Sequence, residues 1–168
     1  VSPSGNDAAT GLSPATAWAT LVHAAGVVGA GDTVHVQPGS YQGFYLDTSG
    51  APGSPIAFVA TGAGVAITAD NPVTPDGINI EGADHVVIDG FTVTGRTRAG
   101  IRAALSSFVT VRNCTAGNNG RWGIFTGFTD DLLVENNETY GSVLEHGIYV
   151  SNSCDRPIVR GNVVHDNC

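Results

Sequence analysis

Residues 100–117, "GIRAALSSFVTVRNCTAG", recur in outline at 123–140 as "GIFTGFTDDLLVENNETY" and at 147–165 as "GIYVSNSCDRPIVRGNVVH". The Gly-Ile pairs that open at Gly77, Gly100, Gly123 and Gly147 are spaced by 23, 23 and 24 residues. A fixed period of this size marks a solenoid, in which each unit buries its apolar face against the next. Each unit divides into three short runs. The first ("GINIE", "GIRAA", "GIFTG", "GIYVS") alternates at period two, so Ile and the second residue after it point inward. The second ("HVVID", "FVTVR", "DLLVE", "RPIVR") sets Val86, Val109, Leu132 and Pro157 in one register, and Ile88, Val111, Val134 and Val159 in another.

A single residue separates the second run from the third: Gly90, Asn113, Asn136 or Gly161. Gly and Asn tolerate left-handed backbone angles, so every unit is expected to bend sharply at that point. The third run opens with Phe91, Cys114, Asn137 or Asn162, facing inward just after the bend. Asn137 over Asn162 predicts a short asparagine ladder, its amides bonding each other and the turn backbone. The second run ends outward in Asp89, Arg112, Glu135 and Arg160, whose alternating sign reads as a solvated salt ladder.

Three strands per unit, a one-residue bend and no helical segment between strands predict an all-β parallel β-helix of about five coils. The leucine-rich alternative fails because its L-x-x-L-x-L skeleton is absent. The chain reads as one domain over residues 1–168: a cap and first strand at 1–40, an irregular first coil at 41–76, and four repeats at 77–168. Within the cap, "SPATAWATLVHAAGVV" (13–28) predicts a helix with Ser13 as N-cap and Pro14 at the first position. Trp18, Leu21, Val22 and Ala25 would share its buried face over the end of the stack.

Composition narrows the function. The net charge is −8, with seven Arg and no Lys, which excludes a nucleic-acid partner and any lysine base. No apolar run has membrane-spanning length. The three cysteines lack zinc-site spacing. Cys154 and Cys168 fall at opposite ends of a strand, roughly 17 Å apart, too far for a disulfide. Cys114 faces the core, so no intrachain disulfide is expected, and the Cys168 thiol is left able to link two chains. Thr92, Thr115, Glu138 and Val163 do not form the threonine ladder of an ice-binding face.

The opening "GNDAATGLSPATAWATLVHAAGVVGAGDTVHVQPGSY", the Gly-Ile strands and "VRGNVVHDN" resemble the pectate-lyase-like right-handed β-helix superfamily. The resemblance is to its bacterial members with carbohydrate-binding and sugar-hydrolysis repeats. It implies a right-handed coil, an extracellular or cell-surface location and a polysaccharide partner, with acidic polymers the commonest. Lyases, epimerases and hydrolases all occur among such proteins, as do members without catalysis. Complete members continue for further coils and a C-terminal cap. The last coil here is therefore expected to pair end to end with another copy, or to continue in a longer chain.

The resemblance also points to the outward side of the first run as a groove. There lie Asn79, Arg102, Phe125 and Tyr149, then Glu81, Ala104, Gly127 and Ser151, flanked by Arg98, Arg121, Trp122, Glu145 and His146. Trp122, Phe125 and Tyr149 would stack on sugar faces, with Asn79 and Glu81 beside them; Arg102 and Arg121 would hold carboxylates. For β-elimination, His146 is the candidate base, Tyr149 the acid, and Arg102 or Arg121 the neutralising group, with Glu145 alongside. A hydrolase would need two facing carboxylates from Glu81, Glu145 and Asp131. His165 and Asp166 fall in the turn after the last strand. No cofactor is expected: calcium would be the natural ion, but the sequence offers it no cluster of stacked acids. The competing reading is a non-catalytic structural module.

Overall fold

A computed structural model describes residues 1–168. Its strands form three parallel sheets, one for each run. Sheet 2 takes its strands from β1 (Thr33–Val36), β4 (Ile56–Ala60), β7 (Val86–Asp89), β10 (Val109–Arg112), β13 (Leu133–Glu135) and β16 (Ile158–Arg160). Sheet 3 stacks β2 (Gly39–Gln42), β5 (Val65–Ala69), β8 (Thr92–Thr94), β11 (Thr115–Gly117), β14 (Glu138–Tyr140) and β17 (Val163–His165). Sheet 1 holds β3 (Phe44–Leu46), β6 (Ile78–Glu81), β9 (Ala99–Ser107), β12 (Trp122–Asp130) and β15 (Ile148–Ser151). The stack therefore has about six coils, one more than the spacing predicts, because residues 33–46 already complete a coil. Register follows the repeat: Ile78 pairs with Ile101, Ile101 with Ile124, and Ile124 with Ile148.

The Gly that opens the first run of successive coils is required by their close approach. A Cβ on Gly43, Gly77, Gly100 or Gly123 would lie 2.0, 2.6, 2.7 or 2.6 Å from the carbonyl oxygen of its counterpart one coil on. Every one-residue bend is left-handed, with φ of 85°, 54°, 55° and 65° at Gly90, Asn113, Asn136 and Gly161. The corner between the first and second runs also turns left-handed, at Leu105, Phe108 and Phe128 as well as at Gly82, His85 and Asp131. Bulky side chains pay about 1–2 kcal/mol each for that conformation. Bonds across the coils hold it, among them Phe108 N–H to Asp130 O and Phe128 N–H to Asn152 O, both 2.9 Å.

The interior is a column of apolar layers. Ile78, Ile101 and Ile124 are fully buried, each contributing about 2 kcal/mol, and Phe44 stacks on Phe58 at 4.3 Å. The asparagine ladder forms at the bend: Asn137 Nδ2 donates to Asn162 Oδ1 (3.0 Å) and Val111 O (3.0 Å), while its Oδ1 accepts from Cys114 N–H (2.9 Å). A second internal amide, on Asn119, accepts from Arg96 N–H (2.9 Å) and donates to Val93 O (3.3 Å). Cys114 sits in the core, where burial pushes its thiol up to about 12. Cys154 donates to Ser151 O at 3.0 Å, and Cys168 is exposed. The salt ladder resolves into two pairs, Asp89–Arg112 (2.8 Å) and Glu135–Arg160 (2.7 Å).

The N-terminal helix is shorter than predicted. Ser13 and Pro14 open only a 3-10 turn (Pro14–Thr16), and α1 runs over Leu21–Val27 with Thr20 as its N-cap. The Thr20 hydroxyl accepts from His23 N–H at 3.1 Å. This later start resets the helix phase, so Leu21, Ala24 and Ala25 are buried while Val22 is exposed. Trp18 lies before α1 and donates from its indole to Ala9 O at 3.0 Å.

At the other end Ile158, Val159, Val163 and Val164 are exposed on the last coil. His165, placed in β17 and not in a turn, bridges Asp166 Oδ2 (2.8 Å) and Glu138 Oε1 (3.3 Å). Hydrogen bonding to Asp166 and then to Glu138 holds its pKa above the ordinary value. A raised folded pKa stabilises fully below the ordinary histidine value of about 6.5, and the stabilisation is lost as pH rises through the raised one. We expect β17 amides to exchange more slowly at pH 5.5 than at pH 8 after correction for intrinsic exchange rates. His165→Gln should abolish that difference; a difference that survives the substitution would assign the effect elsewhere.

Candidate functional site

The outward ladder of sheet 1 begins one coil earlier than the sequence suggests. Tyr45 pairs with Asn79, followed by Arg102, Phe125 and Tyr149. The signal was present in "GFY" at 43–45, which occupies the Gly-Ile register, but the 34-residue step from Gly43 to Gly77 hides it from a search for period 23. Tyr45 has its hydroxyl pKa pushed up by burial and by the Glu81 and Asp47 carboxylates.

At the N-terminal side of the ladder the candidates form a closed polar cluster. Asn79 does not face a ligand: it is fully buried, donating to Thr74 Oγ1 (3.3 Å) and Glu81 Oε2 (3.1 Å) and accepting from Arg102 Nη1 (3.0 Å). The same Arg102 nitrogen bonds Glu81 Oε2 at 2.6 Å. Beside them Asp76, also fully buried, takes Arg98 in a two-pronged bond (2.8 and 2.5 Å) and the Ala99 N–H at 3.0 Å. These bonds tie the segment ahead of β6 to the start of β9, the central strand of sheet 1.

On the C-terminal side lies an aromatic cluster. Trp122 and Phe125 are 4.6 Å apart between ring centres, Phe125 and Tyr149 meet edge-on at 5.9 Å, and His146 meets Tyr149 edge-on at 5.1 Å. Trp122 is only 9% exposed, and its indole donates to Glu145 Oε2 at 2.9 Å, so it supports the cluster from below and cannot stack on a sugar. Glu145 also bonds Arg121, whose guanidinium lies 4.7 Å over the Trp122 ring. Arg102 approaches the Phe125 ring at 5.7 Å. Phe125 itself lies across Gly127, where a Cβ would be 3.3 Å from the ring, so the ring covers the space over that glycine. The rings left facing solvent are Tyr149, His146 and the half-exposed Phe125, with the ion-paired Arg121 exposed beside them.

The structure thus brings His146 and Tyr149 together, while Arg102, Arg121, Glu81 and Glu145 are ion-paired with one another. Asp131 is bound at the corner by Arg156, which holds its carboxyl below the usual range. All three candidate carboxylates for a hydrolase therefore face an arginine. No group of three or more His, Cys, Asp or Glu side chains is placed to hold a metal ion. Every one of the seven arginines bonds an acid one coil away, at Asp70, Asp76, Glu81, Asp89, Glu145, Asp131 and Glu135.

The three-sheet parallel solenoid defines the class of protein. Residues 60–168 match the family described as right handed beta helix region, and the chain belongs to it. No curated protein matches the chain. Among solved structures it is similar to pectate lyase Pel9A, with 21% identity over 88% of this chain and 42% of that one, at a TM-score of 0.70. It is also similar to an alginate lyase from Paenibacillus sp. str. FPU-7, with 21% identity over 84% of this chain and 54% of that one, at a TM-score of 0.71. The chain spans about half the length of these two structures, and at this identity the likeness is one of fold.

Proposed function

We propose that the outward face of sheet 1 is a polysaccharide-binding surface of a secreted or surface-displayed protein. The observation that carries this reading is the run of Phe125, Tyr149 and His146, rings left partly open to solvent on adjacent coils and packed edge-on. Such rings cover the C–H faces of sugars, and the Tyr149 hydroxyl bonds their oxygens. Coils about 4.8 Å apart set successive contacts along an extended chain. Tyr149→Ala is expected to weaken binding about tenfold, the effect of losing about 1.4 kcal/mol of ring contact. Affinity electrophoresis through gels containing different polysaccharides reads this directly. Unchanged mobility of the variant in a gel that retards the parent protein would move the site off this face.

The contact between His146 and Tyr149 favours a second reading, β-elimination with His146 as base and Tyr149 as acid. That reaction also requires a uronate whose carboxylate is neutralised, so Arg102 or Arg121 would have to exchange its present acid for the substrate. Elimination releases unsaturated uronides that absorb in the ultraviolet. Activity on polygalacturonate or alginate that disappears in His146→Ala and Tyr149→Phe would establish it, and binding without absorbance would leave the face as a binding surface.

A further inference from the structure

We propose that the outward face of sheet 1 accepts an uncharged sugar chain and turns uronate polymers away. The proposal rests on reading this face as a polysaccharide contact, and it assigns the charge class of the polymer. A uronate is bound by guanidinium groups free of a counter-charge, and each of the three arginines on or beside this face already faces an acid. Arg102 is only 17% exposed and already satisfies Glu81 and Asn79 with one nitrogen. Arg98 is clamped to Asp76, which has no solvent contact, so releasing that arginine would leave a carboxylate stranded in the interior. Arg121, the most open of the three at 48% exposed, is held by its bond to Glu145 and its place over the Trp122 ring. A uronate arriving here would only replace one carboxylate by another, and would leave the displaced one beside it.

The surrounding field has the same sign. Asp47 follows Leu46, the partner of Ile80, and therefore stands beside Glu81 on the same face with no arginine bonded to it. The raised pKa of Tyr45 reflects these two acids together with burial. Across the chain all seven arginines are paired, so the net charge of −8 resides on acids with no arginine partner. An anionic polymer is repelled at long range and finds no unpaired arginine at short range. What the face does present is the Tyr149 and Tyr45 hydroxyls, the Asp47 carboxylate, the His146 imidazole and the Phe125 ring. These are donors and acceptors for sugar hydroxyls beside an apolar surface, the equipment for an uncharged chain.

Affinity electrophoresis of the 168-residue chain tests this, with xyloglucan, arabinoxylan or galactan in one set of gels and polygalacturonate or alginate in another. Retardation is expected in at least one uncharged polymer, little changed by added salt, and none in the uronates. In a Glu81→Gln/Glu145→Gln variant the amides keep the shape of both acids and free the charges of Arg102 and Arg121. That variant should gain at least about tenfold in retention by polygalacturonate, a gain that disappears at high salt. Stronger retention of the parent protein by a uronate than by every uncharged polymer would overturn the charge assignment and leave the polysaccharide reading standing. Retention by no polymer would overturn both. A folded double variant, checked by circular dichroism, that gains nothing for uronates would also overturn the proposal, because masking of the arginines is its stated cause.

Discussion

Asn137→Ala is expected to lower the stability of the protein by about 4 kcal/mol, the loss that follows when a fully satisfied buried amide is removed and its partners are stranded. The Asn137 side chain is 1% exposed and serves three coils at once. Its oxygen accepts from Cys114 N–H and its nitrogen donates to Val111 O, both on the preceding coil, and the nitrogen also donates to Asn162 Oδ1 on the following one. Alanine removes all three bonds. It also leaves the Cys114 N–H without its acceptor in a water-free bend, at about 1–3 kcal/mol for such a group. For a chain of this length the melting temperature should fall by about 10 °C. The neighbouring Asn136 is the control. It is exposed and left-handed, with φ of 55°, so Asn136→Gly keeps the bend and should change the melting point little. Equal losses in the two variants would mean that backbone angle and not the ladder holds the bend.

This pair shows why much of the fold could be read from the sequence. A repeat displays the same structural demand several times, so Asn or Gly at four equivalent bends and Asn at two equivalent interior positions stand out from their surroundings. The same logic failed wherever a demand was met only once or by an unusual residue. Leu105, Phe108 and Phe128 adopt left-handed angles that their side chains disfavour, so nothing in residue type marks their corner. Tyr45 was hidden because a longer connection breaks the period after it. The helix began late because Thr20, not Ser13, supplies the side-chain bond that caps it.

The candidate site was legible as a list of residues but not as an arrangement. Sequence places Arg102, Phe125 and Tyr149 on one face, and the register bears that out. It does not say that Asn79 turns into a hydrogen-bond network, or that Trp122 goes under the cluster. Nor does it say that the arginines outside the salt ladder, Arg96, Arg98, Arg102, Arg121 and Arg156, each find an acid on an adjacent coil. Those outcomes depend on rotamers and on which acid lies a few ångströms away after folding. Asp76, alone in a loop in the sequence, became the most buried carboxylate beside the face because Arg98 and the Ala99 N–H meet it there.

Gly123→Ala should be nearly as damaging, at about 3 kcal/mol or more, and it should strike the aromatic face directly. The added methyl would lie 2.6 Å from Gly147 O, 3.0 Å from Thr139 Cβ and 3.1 Å from Ala116 O. Two of these obstacles are backbone, which cannot turn aside as a flexible side chain can, so the last coil must lift away from its neighbour. Lifting stretches the Ile124 N–H bond to Gly147 O, 2.8 Å in the intact protein, and pulls on the segment between Trp122 and Phe125. Phe125 and Tyr149 would then separate from their 5.9 Å contact, and polysaccharide retention should fall together with stability. Gly26→Ala in α1 provides the contrast: its new Cβ meets nothing within 4 Å, and alanine favours a helix by up to about 1 kcal/mol. Thermal melts and limited proteolysis of the two variants separate the cases, with early cleavage after residue 146 expected only for Gly123→Ala. If that variant melts with the parent protein, the adjacent coils have slack at the glycine column, and the recurring glycine must owe its place to something other than close approach.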